Sequence, residues 1–168
     1  MQDKIVIGID PGSIMCGYGI IRKERGATIY ITAGQIAMPK KQPLSVRLKY
    51  LHEGLSEIIH TYQPDEAVIE KIFFAKGIKS ALHLGHARGV AMLTASMQDI
   101  PVIEYSALEI KQSVTGYGHA DKKQVQHMVK AILGIKQDLS FDSSDALAMA
   151  LCHSHTMDYK IHTPLVWS

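Results

Sequence analysis

Cysteine is scarce in this chain. Cys16 and Cys152 are the only two among 168 residues, too few for a disulfide framework and far from any C-x-x-C zinc spacing. Their apolar neighbours read as buried thiols in a reducing compartment. Long hydrophobic runs are missing as well. No stretch reaches the ~18 apolar residues of a membrane helix, and Met1-Gln2-Asp3-Lys4 leads into a strand-like segment without the apolar core and cleavage site of a secretory leader. Repeats, low-complexity stretches and interdomain linkers are absent. So is a large charge of one sign, because 18 Lys+Arg against 16 Asp+Glu leave only +2. What remains is a composition of 46% hydrophobic and 20% charged residues, which excludes the disordered and fibrous classes. The expectation is one soluble, cytoplasmic domain over residues 1–158, with an unassigned tail over 159–168. A chain of this length can bury about 70% of its unfolded surface.

The near-neutral total hides an uneven distribution. Residues 71–88 hold Lys71, Lys76, Lys79 and Arg88 with no acid, and residues 111–130 hold Lys111, Lys122, Lys123 and Lys130 against Asp121 alone. Two positive patches follow, either solvated surface or contacts for nucleic acid.

Periodicity gives the elements. Lys-Ile-Val-Ile-Gly-Ile-Asp at 4–10 is an apolar strand stopped by Pro11-Gly12. Residues 17–23 and 27–36 are β-rich around a turn at Arg25-Gly26, completing a meander. Leu44, Leu48, Leu51, Leu55, Ile58 and Ile59 recur at helical spacing up to Pro64. Ala67-Val68-Ile69-Glu70 is a strand, 80–98 a helix and 101–105 a fifth strand. A helical segment from about Ser106 follows, then helices over 122–133 and 143–155. The order βββ-α-β-α-β-α-α implies an α/β fold with a mixed five-stranded sheet flanked by helices.

Within that scheme the carboxylates are the informative feature. Asp10 and Glu70 each close an apolar strand, and Asp142 and Asp145 sit three apart on one face of the last helix. Read singly, each has an ordinary explanation: Asp10 a turn residue, Glu70 a surface acid, Asp142 an N-cap with Asp145 at N3. Read together, three elements can converge at the carboxyl edge of one sheet, where α/β active sites gather. Oxygen-only clusters of this kind suit Mg²⁺ or Mn²⁺. Two such ions can activate water and stabilise the leaving oxygen of a phosphodiester, and the basic windows would then hold the phosphate backbone.

Gly8-Ile9-Asp10-Pro11-Gly12-Ser13, with Gly17-Tyr18-Gly19 after it, resembles the RuvC family of Holliday junction resolvases. So do Ile69-Glu70-Lys71-Ile72-Phe73, Ser80-Ala81-Leu82 with Gly89-Val90, Lys111 to Gly116, Lys122 to Gln126, and Asp142-Ser143-Ser144-Asp145-Ala146-Leu147-Ala148. These blocks run in order across residues 5–150. The resemblance implies a ribonuclease-H-like fold and a homodimeric, Mg²⁺-dependent endonuclease, with two ions per site, that nicks two opposed strands of four-way junction DNA. It implies four catalytic, metal-binding acids at Asp10, Glu70, Asp142 and Asp145. It further implies DNA contacts at Phe73, Lys111 and Lys122, and work beside the RuvA and RuvB branch-migration proteins.

Other features leave choices. One of Phe73 and Phe74 can face the core while the other stacks on an unpaired base. Gly85 and Gly89, one turn apart, call for a close helix approach, to the sheet beneath or to a second subunit. His153 and His155, spaced by two on a helix, do not face each other and are read as non-ligands. Two rival functions compete with the nuclease. Asp10-Pro11-Gly12-Ser13 also looks like the phosphate loop of actin-like and sugar-kinase phosphotransferases, which need a duplicated domain that 168 residues do not supply. A DNA-binding module without catalysis is the other, opposed by carboxylates that would repel phosphate unless a cation intervenes.

Overall fold

The computed structural model describes residues 3–71 and 78–162. A three-stranded meander opens the chain: β1 (Lys4–Asp10), β2 (Met15–Glu24) and β3 (Ala27–Ala37). Arg25 and Gly26 both take positive φ, 49° and 86°, the geometry of a tight hairpin turn matched to strand twist. After α1 (Leu44–Tyr62), β4 (Glu66–Glu70) pairs parallel with β1; after α2 (Ile78–Ser96), β5 (Val102–Tyr105) pairs parallel with β4. The sheet order is β3-β2-β1-β4-β5, the mixed five-stranded sheet expected.

Helices cover both faces. Strand alternation in β1 sends Val6 to one core and Ile7 and Ile9 to the other, so this central strand is apolar from Ile5 to Ile9, between Lys4 and Asp10, as double-sided burial requires. One core lies beneath α1 and α2. The second lies beneath α3 (Ala107–Thr115), α4 (Lys122–Leu133) and α5 (Phe141–His162). Cys16 is buried in the first and Cys152 in the second, both as free thiols.

Three helices, rather than the two in the expected order, follow β5. The segment from Ser106 is a complete helix because Ser106 and Glu109 form a capping box, and Gly116 closes it in a left-handed conformation. A second box, Asp121 with Gln124, starts α4 and makes Lys122 its first residue. The last helix begins two residues before the expected start and extends to His162. Ser140 caps it, accepting from Ser143 N at 3.1 Å, so the alternative in which Asp142 is the cap does not hold. Among the described residues no helix is long and apolar enough to cross a membrane.

Candidate active site

Parallel pairing of β1 and β4 sets Asp10 and Glu70 at the same edge of adjacent strands. Alternation turns both toward the α5 face, two residues beyond Gly8 and Val68 respectively. α5 completes the arrangement because glycine lets it come close. A Cβ at Gly8 would collide with the Ala146 carbonyl and one at Gly17 with the Asp142 carbonyl, while Gly19 faces the Leu147 side chain. The first turns of α5 therefore press onto β1 and β2, carrying Asp142 and Asp145 to Asp10. Asp10, Glu70 and Asp145 line a cleft of about 260 Å³, together with Lys111 and Lys122.

Electrostatics report the crowding. Burial pushes the Asp10 carboxyl up to about 7, with Asp145 and Asp142 adding to the rise and Lys122 opposing it. Burial likewise raises Glu70, reinforced by Asp145 and opposed by Lys111 and Lys122. Asp145 is raised by burial against the pull of Lys122. Lys122 Nζ donates to Asp145 Oδ2 at 3.1 Å, and that bond raises the lysine's own pKa. Like charges share a half-buried space in which, among the described residues, the Lys122–Asp145 contact is the direct neutralisation. Among the described residues no three acid, His or Cys side chains are already closed around a metal-sized point.

Lys111 and Lys122, the lysines that the family resemblance implies as DNA contacts, line the same cleft as Asp10, Glu70 and Asp145. Phe73, Phe74 and Lys76 lie outside the described residues. His153 is tied elsewhere: its Nε2 meets Glu66 Oε2 at 2.7 Å and its Nδ1 meets the Tyr105 hydroxyl at 2.8 Å. His155 Nδ1 lies 3.0 Å from Ser113 Oγ. Gly85 and Gly89 are exposed and a Cβ at either meets nothing within 4 Å, so the sheet beneath is not what they approach.

Two residues with contacts at the site escaped the sequence reading. Gln35 Nε2 donates to Asp142 Oδ2 at 2.7 Å across from β3; strand alternation could have put Gln35 on the α5 face, but not its partner. Arg88, counted above in a surface patch, turns inward. Its Nε donates to the Glu70 main-chain carbonyl at 3.2 Å and its terminal nitrogen pairs with Glu104. Arg88 thereby braces the strand end that carries Glu70.

A ribonuclease-H-like sheet with acids from β1, β4 and α5 at one edge defines the class as a nuclease fold of the resolvase type, and comparison narrows it. Residues 6–153 match the family model for the crossover junction endodeoxyribonuclease RuvC. The RuvC of Tolumonas auensis is 51% identical over 90% of this chain and 87% of its own length; that of Syntrophotalea carbinolica is 47% identical over 89% and 93%. The chain therefore belongs to the RuvC family. The structure of Thermus thermophilus RuvC in complex with a Holliday junction substrate superposes with a TM-score of 0.86, at 30% identity over 94% of this chain and 96% of that one. Yeast mitochondrial Ydc2 shares the fold alone, with a TM-score of 0.67 at 10% identity. The phosphotransferase alternative finds no support among these relatives.

Proposed function

We propose that this protein is a Holliday junction resolvase that nicks two opposed strands of four-way DNA junctions by metal-dependent phosphodiester hydrolysis. The observation carrying this reading is the convergence of Asp10, Glu70, Asp142 and Asp145 from three elements at one sheet edge, with two lysines over the same cleft. The donor set is all oxygen and over-charged. That chemistry fits hard divalent cations, Mg²⁺ or Mn²⁺, two per site.

When bound, such ions supply activation of the attacking water and stabilisation of the leaving oxygen. The chain's own residues prepare for this. Asp10 and Glu70 hold the strand-edge side of the site, Asp142 and Asp145 the helix side. Asp10 must lose its proton to serve, so its raised pKa makes metal loading compete with protonation. Lys122 exchanges its Asp145 contact for substrate phosphate, and Lys111 offers a second cation. Phe73 is the proposed stacking residue at the opened crossover.

Paired nicking calls for two sites related by a two-fold axis. Leu82, Gly85, Gly89 and Leu93 on α2, with Met97 just past its end, form an exposed stripe at helical spacing, and Leu82, Leu93 and Met97 are each more than half exposed. We assign this stripe to the homodimer interface. RuvA and RuvB are the proposed branch-migration partners.

Incubation with a synthetic four-way junction and a linear duplex of the same sequence, with and without Mg²⁺, tests the function. Symmetric metal-dependent nicks in the junction alone are expected, and metal-independent or duplex-indifferent cutting would defeat the proposal. Gly89→Leu should leave mostly singly nicked circles from a cruciform plasmid and shift sedimentation toward monomer. Wild-type protein that stays monomeric at micromolar concentration with junction bound would remove the dimer.

A further inference from the structure

A third cationic region lies at the sheet edge that carries the acid cluster, on a different segment of the chain from Lys111 and Lys122. Residues 25–52 contain Arg25, Lys40, Lys41, Arg47 and Lys49 and no Asp or Glu. Chain direction sorts these five. β3 runs antiparallel to β2, which runs antiparallel to β1, so β3 ends at the same sheet edge as Asp10. Residues 38–43 connect that end to α1 and carry Lys40 and Lys41 there, while Arg25 sits in the hairpin at the opposite edge.

The loop is braced against the turn that follows Asp10. Met38 N donates to the Ile14 carbonyl at 2.8 Å, Gln42 N to the Pro39 carbonyl at 3.0 Å, and Arg47 Nη1 to the Ser13 carbonyl at 2.7 Å. Met38 is buried among the residues beneath α1 and α2. Two lysines are thereby held on a fixed support at the sheet edge where Asp10 lies. Both are exposed, and neither has an ion-pair partner among the described residues. The first turn of α1 adds no acid to neutralise them. Lys49 differs, pairing with Glu53 at 3.5 Å.

A phosphodiester seated over the acids leaves DNA running away on both sides. Lys111 and Lys122, from the helices after β5, are the proposed contacts over the acids. The edge strand β3 and its loop lie at the same end of the sheet. We propose that Lys40 and Lys41 form a second phosphate-contact site, gripping the backbone of the duplex arm that leaves the cleft over β3. The inference rests on the nuclease reading and extends its substrate surface.

Binding of a synthetic four-way junction without divalent metal, measured across a salt series, provides the test. Each lost phosphate contact lowers the log–log salt slope by about 0.9 on B-form DNA, so Lys40→Ala with Lys41→Ala should lower it by about 1.8. Lys41→Glu alone should weaken binding about tenfold at low salt, and Lys49→Ala should leave the slope at the wild-type value. A double variant with the wild-type slope overturns the proposal, as does a Lys49→Ala effect of equal size, which would mean diffuse attraction rather than a site. Lys122→Ala separates the two readings. If wild type binds and Lys122→Ala lowers the slope while the loop variants do not, this inference alone fails. If wild type neither binds nor cuts junctions, the nuclease reading itself fails.

Discussion

Two glutamates four residues apart on β4 have opposite fates. Glu66, at the start of the strand, is paired with Lys4 and with His153, whose other nitrogen meets Tyr105. Burial would raise its pKa, but the Lys4 and His153 hydrogen bonds overcome that and hold it below the ordinary value. Glu70, at the end, is raised by burial and by Asp145, with only the more distant fields of Lys111 and Lys122 opposing. The strand, the residue type and the partial burial are shared. The difference is whether the fold supplies a counter-charge. A structural carboxylate has one built in, and a carboxylate kept without one is available to something brought from outside.

The largest effect should come from exchanging charge for amide at the two ends. Glu70→Gln should lower junction cleavage by about 10³ or more, on the order of 4 kcal/mol in barrier, while Glu66→Gln stays within about threefold of wild type. A gel assay at saturating Mg²⁺ decides this, and comparable losses would erase the contrast. Stability should rank them the other way. Glu66→Gln leaves Lys4 and His153 without their anion and should cost about 2 kcal/mol, whereas Glu70→Gln relieves repulsion and should not lower the metal-free melting temperature.

Proton linkage gives the contrast a sign. Asp10 has a folded value of about 7 against an ordinary 3.8, so the folded state binds that proton more tightly. Metal-free stability from this group is therefore present at low pH and declines as pH rises from about 4 to 7. Glu66, whose folded value is lowered, contributes in the reverse sense: its stabilisation is full above the ordinary value and is lost as pH falls through the folded one. Asp10→Asn should remove the first slope and raise the metal-free midpoint at pH 8 by about 3–6 °C, on the order of 1–2 kcal/mol. A melt series in which the variant keeps the wild-type slope would show that Asp10 is not the group responsible.

The smallest expected change sharpens the picture around Asp145. Lys122→Ala removes that acid's hydrogen-bonded cation and a proposed phosphate contact together. Junction binding should lose about 0.9 from its salt slope, and cleavage should fall less than in Glu70→Gln. An unchanged slope would reduce Lys122 to a local neutraliser of Asp145.

By itself the sequence determined the strands and the sheet class, and it singled out the four acids that the fold brings to one edge. Apolar alternation and helical spacing are local signals, and an acid ending an apolar strand stands out wherever the strand packs. Capping chemistry is equally local: Ser106 with Glu109 and Asp121 with Gln124 start two of the three helical segments found after the fifth strand, although the order written from the sequence counted only two. Only the tertiary structure decided which carboxylates meet countercharge and which meet each other. Glu66 finds His153 across 87 residues and Asp142 finds Gln35 across 107, distances over which no periodicity carries information. Arg88 shows the same limit, since an arginine between two exposed glycines looks like surface until the fold brings Glu104 and the Glu70 carbonyl to it. Residue type sets what a side chain can bond, but packing sets what it is offered, and at a half-buried site the electrostatic energy depends on the second.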